Sequence, residues 1–448
     1  MIVVRDAVAL AIETLSWIEY EGLSERAAFS KAAKQLQVTE SDQLRTAQQL
    51  VLETVRRLNF IDRLIRESVV NQSDLDSLQH GMTSILRLFC YWTKFRGASD
   101  RDVFRILHAA RSVLGWKGLH PIENVFGRIL ASDLSEVTAR LSSDEALALN
   151  LFHPAWFVSA CTSLLGRSAA LNLMRRSLDR PPSYIRLNTL RGSEETCLRE
   201  TEKTGIELKP VEHLPLTYRV LSYKRPIVRT EPYRQGRIAI QDKGSILVSV
   251  IASPQPGDLV LDVCAAPGAK TTHLAQLMQN NGTIYSVDTS SVRMSFWKRE
   301  VSRLGVGIAH PLLADATKPI PANVEADLVL LDPPCSNTGT FWKSPRTKWT
   351  ATPERTHQLA KMQGAMLDNV SRLVREGGTI VYSTCSVLAE ENEQIVNHFL
   401  GVNPDFRAVE SSPRIGLPGL YGLQMSQRMY PHVHDCNGHF LSVIKRIG

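Results

Sequence analysis

Four short apolar runs recur in the second half of the chain: Leu259-Val-Leu-Asp-Val263, Thr283-Ile-Tyr-Ser-Val287, Leu328-Val-Leu-Leu331 and Thr379-Ile-Val-Tyr382. Stretches of helical character lie between them, near 270–280, 290–304, 354–375 and 389–400. Runs this apolar read as strands buried on both faces, and strands that alternate with helices pair in parallel. Residues 241–448 are therefore expected to form a doubly wound, largely parallel α/β sheet. In such a sheet ligands bind at the carboxyl ends of the strands.

Two cysteines stand at such ends. Cys335 closes Leu-Asp-Pro-Pro-Cys (331–335) and Cys385 sits in Tyr-Ser-Thr-Cys-Ser (382–386). A single buried cysteine is most often a small hydrophobe. Two on neighbouring strand ends suggest a nucleophile and a helper rather than a disulfide. The seven cysteines are odd in number, scattered and without a Cys-x-x-Cys pair, which fits reduced thiols in a cytosol and carries no zinc or other metal signature.

The first strand of this set runs into Cys264-Ala265-Ala266-Pro267-Gly268-Ala269-Lys270-Thr-Thr272, which opens a helix. A small-residue turn at a helix N-terminus lets backbone N–H groups approach a ligand. The spacing is neither a P-loop nor the three-glycine dinucleotide fingerprint. Asp288, about 25 residues on, ends the second strand, where an acid can accept hydrogen bonds from ribose hydroxyls. Asp315 falls where a third strand would end, near an adenine amino group. An adenosine-bearing ligand without a phosphate grip favours S-adenosylmethionine as cofactor.

The rest of the chain has a different texture. At 448 residues two or three domains are expected. Residues 1–145 read as a helical bundle used for binding or docking. One stripe in it comprises Leu44, Ala47, Leu50, Val51, Val55, Leu58 and Ile61, in a helix that Thr39-Glu40-Ser41-Asp42 would cap. Residues 146–240 mix short β pieces with helical segments at 155–178 and 193–204 and suggest a small α+β module. That region holds a net charge equal to the +7 of the whole chain, since 151–240 carries 15 Lys/Arg against 8 Asp/Glu. A face for nucleic-acid phosphates is the reading preferred over a solvated surface. No run of about 18 apolar residues suits a membrane span, and the N-terminus lacks the pattern of a secretory leader. A cytoplasmic location and no membrane partner are expected.

The motifs Pro182-x-x-x-Arg186-x-Asn188, Gln241-Asp242-x-x-Ser245, Leu261–Thr271, Asp288-x-x-x-x-Arg293, Asp332-Pro-Pro-Cys-Ser336, Ser383-Thr-Cys-Ser386, Glu390-Glu391-Asn392-Glu393 and Arg428-x-x-Pro431-His432 occur in one chain. In this set it resembles the RNA cytosine-C5 methyltransferases of the RsmB/NOP/NSUN family, and as a whole the RsmB branch. The resemblance implies an all-α NusB-like RNA-binding domain over 1–145, a basic, RRM-like α+β connecting module over 146–240 and a Rossmann-like catalytic domain over 241–448. It implies S-adenosylmethionine held by Cys264, Ala265, Ala266, Pro267, Gly268, Ala269 and Lys270 with Asp288, Arg293, Asp315 and Asp332. It places the nucleophile at Cys385 and product release at Cys335. The chain departs from the family pattern at Ala269, usually glycine, and in a longer Asp435-Cys-Asn-Gly-His-Phe440.

Chemistry supports those roles. C5 of cytosine becomes enamine-like only when a thiolate adds to C6, and cysteine is nucleophilic enough to add and able to leave again. Asp332 could hold the base edge near N3, and the base must leave its stack to reach the pocket. Lys343, Arg346 and Lys348 after Phe341-Trp342 offer charge and stacking surface for RNA, or the aromatics anchor the loop. The substrate expected is 16S-type ribosomal RNA, with tRNA as the alternative, acted on by a monomer. A non-catalytic RNA-binding assembly factor is the reading of another class, and the intact cysteine pair with all three acids speaks against it.

Overall fold

The computed structural model describes residues 2–69, 78–139, 141–321 and 324–448. The chain forms two compact units, Met1–Leu178 with Ser344–Thr350, and Asp179–Lys343 with Ala351–Gly448. The first runs past residue 145, to Leu178.

Every regular element described in the first unit is helical, from Ile2–Tyr20 to Arg167–Arg176. Its core includes Leu50, Val51, Val55 and Ile61 of the predicted stripe, buried together with Leu15, Leu64, Ile85, Phe89 and Ile129. Each such side chain contributes about 1.5–3 kcal/mol on leaving water. The stripe over 44–61 folds as two helices, Ser41–Arg56 and Leu58–Ser68, which meet at Arg57 (φ −114°, ψ 17°). Arg57 donates to Glu53 O at 3.1 Å and lies 5.2 Å over the Phe152 ring, contacts that hold the break. The expected cap is also different: Glu40 takes the N-cap position and makes no side-chain cap bond. The segment 155–178 divides at Gly166 (φ 77°), a conformation glycine accepts at low cost.

Residues 344–350 correct the RNA-contact expectation. Lys348 is fully buried, its Nζ donating to Phe152 O at 3.2 Å. Burial, then the charges of Arg56 and Arg57, push its pKa well below the usual lysine value. The Arg346 guanidinium donates to Gly22 O at 2.5 Å, and Trp349 Nε1 donates to Val55 O at 2.7 Å. In the second unit Phe341 and Trp342 are buried, with Trp342 Nε1 donating to Asn437 Oδ1 at 2.7 Å. These aromatics anchor the loop. Of the five residues only Lys343 is exposed.

The second unit contains two sheets. Strands β1 (Ser183–Leu187), β2 (Ile206–Pro210), β3 (Thr217–Tyr223) and β4 (Ile238–Ile240) form an antiparallel sheet of order β2-β3-β1-β4. Part of the basic character of this region is structural. Arg186 is fully buried among Gln241, Thr272 and Gln276, and burial lowers its pKa to about 9. Asn188 Nδ2 donates to Gly236 O and Leu304 O, both at 2.8 Å, and ties the small sheet to the helix Ser291–Leu304. Arg199, Lys203, Lys209, Lys224 and Arg225 remain exposed.

The larger sheet has the parallel order β7-β6-β5-β8-β9, with β5 (Leu259–Val263), β6 (Thr283–Asp288), β7 (Ala309–Leu313), β8 (Ala326–Leu331) and β9 (Val374–Thr384). The antiparallel strands β10 (Phe406–Val409), β11 (Leu417–Pro418), β12 (Gln427–Met429) and β13 (His439–Arg446) extend it beyond β9. Strand order reverses between β5 and β8, so a crevice is expected outside their carboxyl ends. The loops after β5, β8 and β9 leave from that edge.

Candidate active site

The loop after β5 is shaped by glycine and by burial. Gly268 has φ 104°, and a Cβ there would come within 3.1 Å of Trp297 Cδ1. The conformational demand thus lies at Gly268, whereas Ala269 is the first residue of the helix Ala269–Leu277, where alanine suits an ordinary helical backbone. Ala265 N donates to Val287 O at 3.0 Å and Ala266 N to Asp288 Oδ2 at 3.2 Å, which draws the loop against β6. Asp288 also accepts from Ser290 N at 3.0 Å and pairs with Arg293 at 3.3 Å. Arg293 in turn donates to Ala266 O. Cys264 (φ 66°) is mostly buried, and burial, then the nearby Asp332 and Asp288 charges, push its thiol up to about 12. Pro267 is exposed at the loop tip.

Lys270 reaches a different partner from the loop backbone. Its Nζ donates to Asp332 Oδ2 at 2.6 Å, while Ser383 Oγ donates to Asp332 Oδ1 at 2.8 Å. Burial opposes the Lys270 charge, but Asp332 outweighs it and the pKa is raised. Asp332 therefore links the ends of β5, β8 and β9. Asp315 is apart from this group: it accepts from Thr317 N and Oγ1 at 3.0 and 2.7 Å, and these bonds lower its pKa. Its side chain is 42% exposed.

The two cysteines meet. Cys335 Sγ and Cys385 Sγ are 3.1 Å apart, both as free thiols. Cys335 is buried and Cys385 is partly accessible. The hydrogen bond with Cys385, then burial, then charge on Cys385 and Glu391, hold the Cys335 thiol well above the ordinary range. Cys385 Sγ donates to Asn337 Oδ1 at 2.9 Å, and Asn337 Nδ2 donates to Cys335 O at 3.0 Å.

Beneath the pair lies a buried polar layer. Glu391, with no exposed surface, accepts from Ser336 N at 2.8 Å, Ser336 Oγ at 2.5 Å and Gln363 Nε2 at 3.0 Å. Asn392 accepts from Thr384 Oγ1 at 2.5 Å and donates to Ser386 O at 3.0 Å. Arg428 and Glu393 form a fully buried ion pair, and Arg428 Nη1 also donates to Val387 O at 2.9 Å. The longer 435–440 segment braces the same place. Gly438 N donates to Gly339 O at 2.8 Å and Gly339 N to Cys385 O at 2.9 Å, so close that a Cβ on Gly339 would lie 2.3 Å from Gly438 O.

A partly accessible thiol beside a buried, protonated one, at a sheet edge with a carboxylate and a lysine, suits covalent addition followed by proton transfer. Among the described residues no group of His, Cys, Asp or Glu is arranged to hold a metal ion.

The family model for the 16S rRNA methyltransferases RsmB/F matches residues 249–445, and that for the RsmF/B-like ferredoxin-like domain matches 153–221. The probable ribosomal RNA small subunit methyltransferase B of Bacillus subtilis is 31% identical over 326 residues, 72% of each chain. The chain belongs to the RsmB/F family. It is accordingly an S-adenosylmethionine-dependent RNA cytosine-C5 methyltransferase. A tRNA (cytosine(72)-C(5))-methyltransferase of Pyrococcus horikoshii is 33% identical over 215 residues, 48% of this chain and 54% of its own. The crystal structure of PH0851 superposes with a TM-score of 0.88 at 28% identity, covering 99% of both chains. The RsmB/F ferredoxin-like match agrees with the sheet order β2-β3-β1-β4.

For this family member the sequence motifs located both thiols and Asp332, but Asn337 and the placement of Glu391 escaped them. Asn337 carried a usable signal, because asparagine is among the few residues at ease with positive φ, and here φ is 56°. The motif Glu390-Glu391-Asn392-Glu393 names Glu391, but only the folded loops show what its carboxylate holds.

Proposed function

We propose that the chain methylates C5 of a cytosine in 16S-type ribosomal RNA through a covalent bond between Cys385 Sγ and C6. The observation that carries this reading is the 3.1 Å approach of a partly accessible Cys385 to a buried Cys335. Cys385 attacks as thiolate: the S–C6 bond forms and the C5–C6 π electrons move to C5. S-adenosylmethionine, when bound, supplies the electrophilic methyl group that C5 accepts. Cys335 then assists loss of the C5 proton, after which the S–C6 bond breaks and Cys385 is regenerated. A physical link between the steps supports this order. The hydrogen bond with Cys385, then burial, then the charge on Cys385 hold Cys335 protonated, and a Cys385 thioether carries no charge, so the last of these is lost. Formation of the adduct thus relieves Cys335 and makes it a better base when a base is required.

The cofactor is held, in this reading, by the 264–270 backbone, Asp288, Arg293, Asp315 and Asp332. The loop's fit is supported by Asp288, whose Oδ1 accepts from Ser290 N and keeps a lone pair for a ribose hydroxyl. Asp332 contacts the base edge, with Lys270 balancing its charge. Helical residues 1–145 are read as a NusB-like RNA-binding domain, and the protein as a cytoplasmic monomer. No described helix is long and apolar enough to cross a membrane. tRNA is the second reading, favoured by the identity to the Pyrococcus horikoshii enzyme. Mapping 5-methylcytosine in total RNA with and without this chain tests the assignment: loss of one site in small-subunit rRNA is expected, and loss confined to tRNA would overturn it.

A further inference from the structure

Hydrogen counting around the two thiols gives them a direction. The Cys335 carbonyl can only accept, so the Asn337 amide must turn its Nδ2 toward it, at 3.0 Å. That orientation leaves Oδ1 facing Cys385 Sγ at 2.9 Å, and an amide oxygen beside sulfur requires the sulfur to carry the hydrogen. Cys385 has one thiol hydrogen, and Asn337 receives it. The 3.1 Å contact between the sulfurs must then run from the Cys335 thiol to Cys385 Sγ. The chain of donors is Cys335, Cys385, Asn337. Three features fix its last member: the backbone at φ 56°, the Nδ2 bond, and Thr340 N donating to Asn337 O at 2.9 Å.

We propose that Asn337 is a positioning residue that keeps Cys385 protonated and aimed in the resting site, its amide oxygen receiving the thiol hydrogen until the substrate base displaces that contact. This rests on the reading of Cys385 as the attacking group. Asn337 thereby suppresses the reactive thiolate between turnovers, and it aligns the sulfur for the incoming C6. A hydrogen bond made to the neutral form disfavours ionisation, so removing it acts on the acidity of Cys385 itself.

The test follows the rate of Cys385 alkylation by iodoacetamide against pH, read by mass spectrometry of the Cys385 peptide in the full chain. Two substitutions that tolerate positive φ have opposite expected signs. Asn337→Gly removes the acceptor and should lower the pH midpoint, raising the rate at neutral pH about 3- to 10-fold, the worth of one neutral hydrogen bond. Asn337→Asp places a carboxylate beside the thiol and should raise the midpoint and slow the reaction. Equal midpoints in all three proteins, or shifts of the same sign in both variants, would overturn the proposal, since simple loosening of the loop moves both alike. Single-turnover methylation is measured in parallel. Opposite midpoint shifts with methylation unchanged in both variants would overturn the positioning role, whereas failure of the reading of Cys385 as the attacking group is seen separately, as retained turnover in Cys385→Ala.

Discussion

The Cys335 loop and the Cys385 loop end adjacent parallel strands, yet they are supported by different chemistry. Below Cys335, the Glu391 carboxylate takes both the backbone N–H and the hydroxyl of Ser336. Below Cys385, a single amide, Asn392, bonds on both sides, to Thr384 and to Ser386, and Arg428 holds Val387 O. Negative charge lies near the buried sulfur, whereas the positively charged Lys270 interacts with the accessible one. A nearby anion opposes thiolate formation. The difference teaches that one residue type can serve two roles at 3.1 Å separation because its surroundings differ.

The strongest break between the loops is removal of either sulfur. Cys385→Ala should lower methyl transfer by at least about 1,000-fold, as loss of a catalytic nucleophile does, while S-adenosylmethionine still binds by calorimetry. Retained turnover would sink the nucleophile assignment. Cys335→Ala should instead permit addition and methyl transfer but stall release, so that a protein–RNA adduct survives on a denaturing gel. An adduct formed by the Cys385→Ala protein would reverse the two roles.

Much of this asymmetry was absent from the sequence, for physical reasons. The parallel strands were legible because buried strands must be apolar, and their ends located Cys264, Asp288, Asp332, Cys335 and Cys385 directly. The antiparallel strands β10–β12 are short or partly exposed and left no comparable run, whereas β13 carries one, Phe440-Leu-Ser-Val-Ile444, outside the strand–helix alternation that marked the others. In the helical unit, periodicity revealed which residues are buried, but the turn at Arg57 depends on contacts with Phe152, far along the chain. Lys348 and Arg346 show the same limit. Their charge suggested solvent or RNA, while the fold supplies backbone carbonyls to each. Glu391 and Asn337 belong to the site only through loops 48 or more residues distant, as the bonds to Ser336 and Cys385 show.

Support beneath Cys385 is sharpened by Arg428→Met. It leaves Glu393 as a buried, unpaired charge and should cost about 3–5 kcal/mol in denaturant unfolding. The paired substitution Arg428→Met with Glu393→Leu should recover most of that loss, since a buried ion pair often exchanges for apolar residues without net cost. If the double variant is no more stable than the single one, the bond to Val387 O rather than the ion pair carries the effect.

The smallest change tests the support beneath Cys335. Glu391→Gln keeps the shape but replaces one acceptor oxygen with an NH2 group, which cannot accept from Ser336. One charge-assisted hydrogen bond is lost, and stability should fall by about 1.5–3 kcal/mol. The electrostatic consequence has the opposite direction for catalysis. Glu391 is among the groups that hold the Cys335 thiol up, so its neutralisation lets that thiol ionise at lower pH. The midpoint for release of the covalent adduct, followed by gel at a series of pH values, should therefore move down even as the protein becomes less stable. A lower stability with an unmoved midpoint would mean that Glu391 only fastens the loop, and that the Cys335 thiol is held up by its hydrogen bond with Cys385 and by burial.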